Sequence, residues 1–215
     1  PFFIHVMTTS NHKPFTFRAG LEEYGVRPVH GGRESGVRYA DYAQARFLSA
    51  AATHPWFRDT IFIIVADHGA RVYGREEIPL RTYEIPLLFY SPAHIRPQRV
   101  DGLMTQIDVA PTLLGLLGLP YAAPWFGQDV LRTPEEGRLA FFAHNHEVGL
   151  LRGNTLAILG LHGKTVLRHY DAATDRYAAA PADAQLRDTA IASFQTAYEL
   201  FQSRRFDLLP RASPH

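Results

Sequence analysis

Apolar and polar positions along the chain fall into blocks of distinct period. The most uniform block is Ile61, Phe62, Ile63, Ile64 and Val65, which stops abruptly at Ala66, Asp67, His68 and Gly69. A run with no polar alternation predicts a strand covered on both faces, as in the middle of a parallel sheet. Residues 2–8 (FFIHVMT) predict a first strand. Residues 85–90 (EIPLLFY without its leading Glu84) predict a third, and Pro86 puts it at a strand start or near an edge. Between the first two, Val37, Ala40, Ala43, Phe47, Leu48 and Ala51 recur at three-to-four spacing. That spacing predicts an amphipathic helix over 36–54, stopped by Pro55. Strand, loop, helix and strand in this order predict a right-handed βαβ unit. It would bring His12, after the first strand, and Asp67–His68, after the second, to one edge of the sheet, where ligands bind in open parallel sheets.

The remaining pattern is more broken. Residues 13–32 contain Gly20, Gly25, Pro28, Gly31 and Gly32 and read as a long, lid-like loop. Residues 70–83 read as irregular chain over the strand end. A helix is predicted over 106–117, with Asp108 near its amino end and Pro111 in its first turn. From Arg138 the period changes to short strands, 139–143, 148–152, 155–159 and 165–170, separated by Gly and Asn turns. A helix over 182–203 follows, then a tail. The fold class predicted is α/β: a mostly parallel sheet with flanking helices, then a small antiparallel β region and a C-terminal helix. The divisions are 1–134 for the α/β part of a catalytic domain, 135–205 for hairpins and closing helix of the same domain, and 206–215 for the tail.

Composition narrows the function. The chain has 215 residues, 46% hydrophobic and 20% charged, in the range of an ordinary globular protein. Its 22 basic and 21 acidic residues leave a formal charge of +1, which gives no support to a nucleic-acid partner. The absence of cysteine excludes disulfides, thiolate metal sites and a cysteine nucleophile. No stretch reaches the roughly 18 apolar residues of a membrane helix. Because Pro1 leads directly into an apolar strand pattern, the expectation is a carboxyl-terminal part of a longer protein.

Four groups of residues carry candidate chemistry. Asp67 and His68 are adjacent oxygen and nitrogen ligands followed by Gly69, which permits a tight turn; they read either as half of a metal site or as a strand-end cap beside a solvated imidazole. His144 and His146, with Glu147, would share one face if they lay on one strand, though an exposed hairpin turn is the better reading. Residues 160–165 (GLHGKT) mimic the end of a phosphate-binding loop, but Ile158 stands where its first glycine belongs. Arg33 and Arg71 lie in loops and read as solvated, while Tyr39 and Asp41 read as structural.

The segments SNHKPFTF, GVRYADYAQARFL, PWFRDTIFIIVADHG, EIPLLFYSP, QIDVAPTLLGLLGL and WFGQDVL occur in this order. The succession resembles the sulfatase and lipoteichoic-acid-synthase (phosphoglycerol transferase) branch of the alkaline phosphatase superfamily, with an alkaline-phosphatase-like fold. The resemblance implies one divalent metal ion, manganese foremost, with magnesium, calcium or zinc as alternatives. Asp67 and His68 match two of its ligands, and His12 matches the histidine that contacts the substrate's phosphate or phosphoglycerol group. The implied mechanism is double displacement through a covalent threonine intermediate. The nucleophile and a glutamate ligand belong to upstream segments that nothing here matches, so no catalytic nucleophile is assigned in this chain. The implied parent is a membrane-anchored enzyme facing the periplasm or exterior of a bacterial inner membrane. It would act on phosphate or sulfate esters, lipid-linked donors among them; the membrane would be met only through upstream segments. A sulfuric ester hydrolase, a phosphoethanolamine transferase and a non-catalytic binding module of the same fold are the alternatives.

Overall fold

The computed structural model describes residues 1–15, 17–27, 31–69, 74 and 76–205. They form two compact units, Pro1–Ile64 with Leu87–Arg96, and Val65–Pro86 with Pro97–His215.

The first unit is built on helix α1 (Gly32–Ala51) and the strands β1 (Phe62–Val65) and β2 (Leu87–Tyr90), which pair as a two-stranded sheet. Phe62 is the hub of its apolar contacts. Its ring lies 6.0 Å from Phe47 on α1, 5.3 Å from Phe57 and 6.3 Å from Tyr90 on β2. The helix begins before the Gly36 predicted from the pattern. Gly36 lies inside it and buried, because the backbone of Ser10 and the side chain of Asn11 pass so close that a Cβ would meet them at 3.2 and 3.0 Å.

Two expectations fail in this unit. Residues 2–8 form no strand, and Phe2, Phe3 and Met7 are 60, 86 and 74% exposed. Apolar composition does not make a strand; a ladder needs a partner backbone, and among the described residues this segment has none. The βαβ unit predicted over 2–65 is therefore not formed among the described residues. Likewise β1 is half-buried rather than covered on both faces, and Val65 is exposed. Of the mostly parallel sheet expected around it, the described residues show one two-stranded pair, β1–β2, and the five-stranded sheet is antiparallel; the α/β class holds.

The second unit holds α2 (Val109–Leu116), five strands and α3 (Ala184–Gln202). The strands are β3 (Leu139–His144), β4 (Glu147–Arg152), β5 (Thr155–Leu159), β6 (Thr165–Asp171) and β7 (Arg176–Ala179), in one antiparallel sheet in sequence order. Four were predicted to within two residues at each end. β7 was not, since RYAA has no apolar alternation, and it forms by pairing Tyr177 with Tyr170 across the β6 edge.

Period-two alternation sends successive residues of this sheet to different layers. Leu156 and Ile158 pack with Ile78 and Leu80 on one face, whereas Ala157 and Leu150 pack with Leu186 and Ala190 of α3 on the other. Asp183 caps α3, accepting from Leu186 N at 2.8 Å, and its second oxygen takes Arg152 at 2.8 Å. Opposite α3, the returning chain of residues 76–83 is fastened to the sheet. Tyr177 Oη donates to Ile78 O (3.1 Å) and accepts from Leu80 N (2.7 Å), and Glu77 pairs with Arg168 at 3.2 Å. This fastening matters because Thr82 of that chain lies against Gly69.

Candidate functional site

Asp67 and His68 stand side by side just past β1, and each has one ligating atom tied to backbone and one free of it. Asp67 Oδ1 accepts from His68 N at 2.9 Å. His68 Nδ1 donates to Gly69 O at 2.6 Å, which fixes the tautomer and puts the ring's lone pair on Nε2. The two remaining atoms, Asp67 Oδ2 and His68 Nε2, are 3.5 Å apart. Bonds of about 2.0–2.2 Å to one cation, at tetrahedral or octahedral angles, separate neighbouring donors by roughly 3.0–3.5 Å. A carboxylate oxygen and an imidazole nitrogen at that spacing fit a divalent ion as two of its ligands. The side chains are 76 and 73% exposed, so further ligands can approach. Among the described residues no group of three or more His, Asp or Glu side chains is gathered to complete a site.

Three neighbours hold this turn. The first is the backbone of the 80–83 turn, because the Thr82 carbonyl oxygen occupies the place where a Cβ on Gly69 would be. Only glycine allows that approach. We expect Gly69→Ala to push the turn off Thr82 and cost about 1–3 kcal/mol in an overpacking penalty, visible as a lower melting temperature and altered amide signals of residues 67–69. Wild-type values for both would contradict it. The second is Pro86, whose carbonyl accepts from Ala66 N at 3.3 Å. The third is Gln106. Its amide nitrogen donates to Ala66 O and to Asp67 O, both at 2.8 Å.

Gln106 is presented by a capped turn. Thr105 N and Thr105 Oγ1 both donate to Asp108 Oδ2 (2.7 and 2.9 Å), and Gln128 N donates to Asp108 Oδ1 (2.7 Å). Asp108 is buried, and Gln106–Asp108 forms a short 3-10 turn leading into α2. The sequence reading put Asp108 at a helix start, as found. It gave Gln106 only as the first residue of that helix, since a glutamine forty residues from its partner leaves no periodic signal.

The other candidates have settings of their own. His12 belongs to the first unit, where its Nδ1 donates to Lys13 O at 2.9 Å. Arg33 sits over the Phe15 ring at 5.8 Å, and Tyr39 stacks on Phe17 at 5.0 Å. Arg71 and most of 70–75 lie outside the described residues, as does the tail 206–215. His144 ends β3, whereas His146 falls in the two-residue turn before β4, so strand alternation does not bring them to one face. His144 serves the scaffold instead. Tyr83 Oη donates to Ala143 O (2.9 Å) and so must accept from His144 Nδ1 (2.9 Å). Burial holds the Tyr83 hydroxyl above the ordinary phenol pKa, which keeps it a donor. Residues 161–163 form a short 3-10 turn between β5 and β6, unlike the strand-to-helix setting of a phosphate loop.

Comparison with known proteins bears on the family of the chain. A family profile described as Sulfatase matches residues 1–119. A crystal structure of a protein in the alkaline phosphatase superfamily from Vibrio parahaemolyticus is similar with a TM-score of 0.84 and 31% identity, over 93% of this chain and 48% of that one. Lipoteichoic acid synthase 2 of Bacillus subtilis is 26% identical over 138 residues, 55% of this chain and 21% of that protein. An endo-4-O-sulfatase of Bacteroides thetaiotaomicron is 28% identical over 153 residues, 58% of this chain and 30% of that protein. The chain thus spans less than a third of those two curated relatives and about half of the solved structure. With a profile match over more than half of its length and a close structural neighbour in the superfamily, the chain belongs to the sulfatase family of the alkaline phosphatase superfamily.

Proposed function

We propose that this chain supplies two ligands of a divalent metal site, Asp67 and His68, to an enzyme that hydrolyses or transfers phosphate or sulfate esters. The observation that carries the reading is the 3.5 Å pairing of Asp67 Oδ2 with His68 Nε2 while Asp67 Oδ1 and His68 Nδ1 are engaged by backbone. A bound divalent ion, manganese in our reading, would polarise the ester and favour the ionised form of a hydroxyl nucleophile. The chain's own groups prepare for that. Asp67 brings the negative charge, His68 a lone pair in a fixed tautomer, and Gly69 the turn that lets both face outward. His12, whose Nδ1 donates to Lys13 O, is the substrate contact in our reading; with Nδ1–H used in this way, Nε2 can bond an anionic oxygen of the substrate only when it also carries a proton.

Thr82, whose carbonyl lies against Gly69, has its Oγ1 donating to Pro79 O at 2.7 Å, and we do not assign it as the nucleophile. We assign the nucleophile, a threonine in the phosphoglycerol-transferase reading, to a part of the protein beyond these residues. Likeness to a lipoteichoic acid synthase favours a lipid-linked phosphoglycerol donor at the outer face of a bacterial membrane. Likeness to an endo-4-O-sulfatase favours a sulfate ester. No helix among the described residues is long and apolar enough to cross a membrane.

The test is turnover of bis(4-nitrophenyl) phosphate and 4-nitrophenyl sulfate, by the complete protein and by the 215-residue chain, after chelation and after manganese is restored. We expect metal-dependent turnover of one ester by the complete protein and none by the chain alone. Turnover by the chain that disappears in Asp67→Ala would overturn the assignment of the nucleophile to another segment. Failure of the complete protein to bind a divalent ion would favour a non-catalytic module of the same fold.

A further inference from the structure

We infer that Gln106 is a positioning residue for the Asp67–His68 pair: its carboxamide holds the two carbonyls that set where the Asp67 carboxylate stands. Both acceptors are backbone oxygens, so the nitrogen of the carboxamide must face them, and both of its protons are used, at 2.8 Å each. Consecutive carbonyls of an extended strand point to opposite sides. Two on one donor therefore require that the chain has already left the strand at Ala66, and Gln106 closes the fork that keeps it so.

The clamp is itself held from behind. Thr105 and Asp108 flank Gln106 in a reciprocal cap, and Asp108 is buried and bonded to the backbone of Gln128. A side chain on so fixed a turn loses little further freedom in making its bonds, unlike an ordinary exposed glutamine. The consequence is specific to the ligand side of the turn. With Ala66 N on Pro86 O and Gly69 against Thr82 O, Gln106 is the third support, and it alone acts on the carbonyl of a ligating residue. Partners that orient metal ligands in this way typically affect metal affinity 10–100-fold when removed.

The inference rests on the proposed metal site for its consequence but not for its geometry, and the experiment separates the two. Gln106→Ala, Gln106→Glu and Gln106→Lys are made in the 215-residue chain and in the complete protein. The glutamate is isosteric but presents oxygens to two carbonyls, whereas the lysine keeps a donor. In the metal-free chain, the carbonyl carbon shifts of Ala66 and Asp67 should move in the alanine and glutamate variants and stay nearer wild type in the lysine variant. Melting temperatures should barely change. In the complete protein, manganese affinity should fall about tenfold in the alanine variant and further in the glutamate variant. Unmoved carbonyl shifts in Gln106→Glu would overturn the clamp, whatever the metal does. Moved shifts with unchanged manganese affinity would overturn its role toward the pair. A wild-type protein that binds no manganese while the shifts respond would sink the metal reading and leave the clamp standing.

Discussion

Asp67→Ala in the complete protein is expected to lower manganese affinity by at least about two orders of magnitude, since loss of the direct ligand proposed above should exceed the 10–100-fold cost of losing an outer partner. Turnover at fixed metal should fall by a similar or larger factor, because a metal's stabilisation of developing charge amounts to several kcal/mol and each 1.36 kcal/mol is about tenfold. The fold should not notice. With its side chain 76% exposed, Asp67 contributes one bond to a neighbouring amide and little packing. Titration with manganese beside a thermal melt checks both halves. Asp67→Asn refines the result: it keeps an oxygen near the same place but removes the charge, so its affinity should lie between the other two. A wild-type affinity in Asp67→Ala would remove the pair from the metal site.

Asp108→Ala is expected to have the largest effect on stability. The carboxylate is 3% exposed and takes three short bonds, from Thr105 N, Thr105 Oγ1 and Gln128 N. Its removal leaves two part-buried backbone amides, those of Thr105 and Gln128, without their acceptor. At about 1–3 kcal/mol for each buried group left unpaired, the loss should be roughly 3 kcal/mol. For a chain of this size that corresponds to a melting temperature lower by roughly 6–12 °C. Asn in its place can accept on one side only, so Asp108→Asn should recover part of the loss. A melting temperature within a degree of wild type would show that these bonds are replaced by others. Because Gln106 lies between Thr105 and Asp108, the alanine variant should also loosen Asp67, and metal affinity should fall with stability.

Local chemistry made part of this fold legible. The hairpins could be read because apolar alternation and Gly or Asn turns act within a few residues, and α1 and α3 because helical spacing repeats over five turns. Asp67, His68 and Gly69 were legible as an acid, an imidazole and a flexible residue after an apolar run. What was lost acts over distance. Residues 2–8 look like a strand by composition, but a strand exists only through its neighbours. β7 has no apolar signature and forms on the edge that β6 offers. Gln106 reaches across forty positions to a backbone target, and carbonyls carry no side-chain identity that a pattern could record. His144 was considered as a ligand by its spacing from His146, yet the turn between β3 and β4 breaks that spacing and Tyr83 takes the ring.

The segment from Phe2 to Met7 has one more consequence. It is uncharged, rich in Phe, Ile and Val, and more than half exposed at Phe2, Phe3, Ile4, Val6 and Met7. Such a stretch is a template for any other extended chain, including a second molecule's own copy. The faces of the antiparallel sheet are covered by α3 and by the returning chain, whereas this segment leaves its apolar side chains in solvent, and self-association of this chain at high concentration is expected to involve it. Solubility in the laboratory, rather than chemistry, is where that segment will first make itself felt.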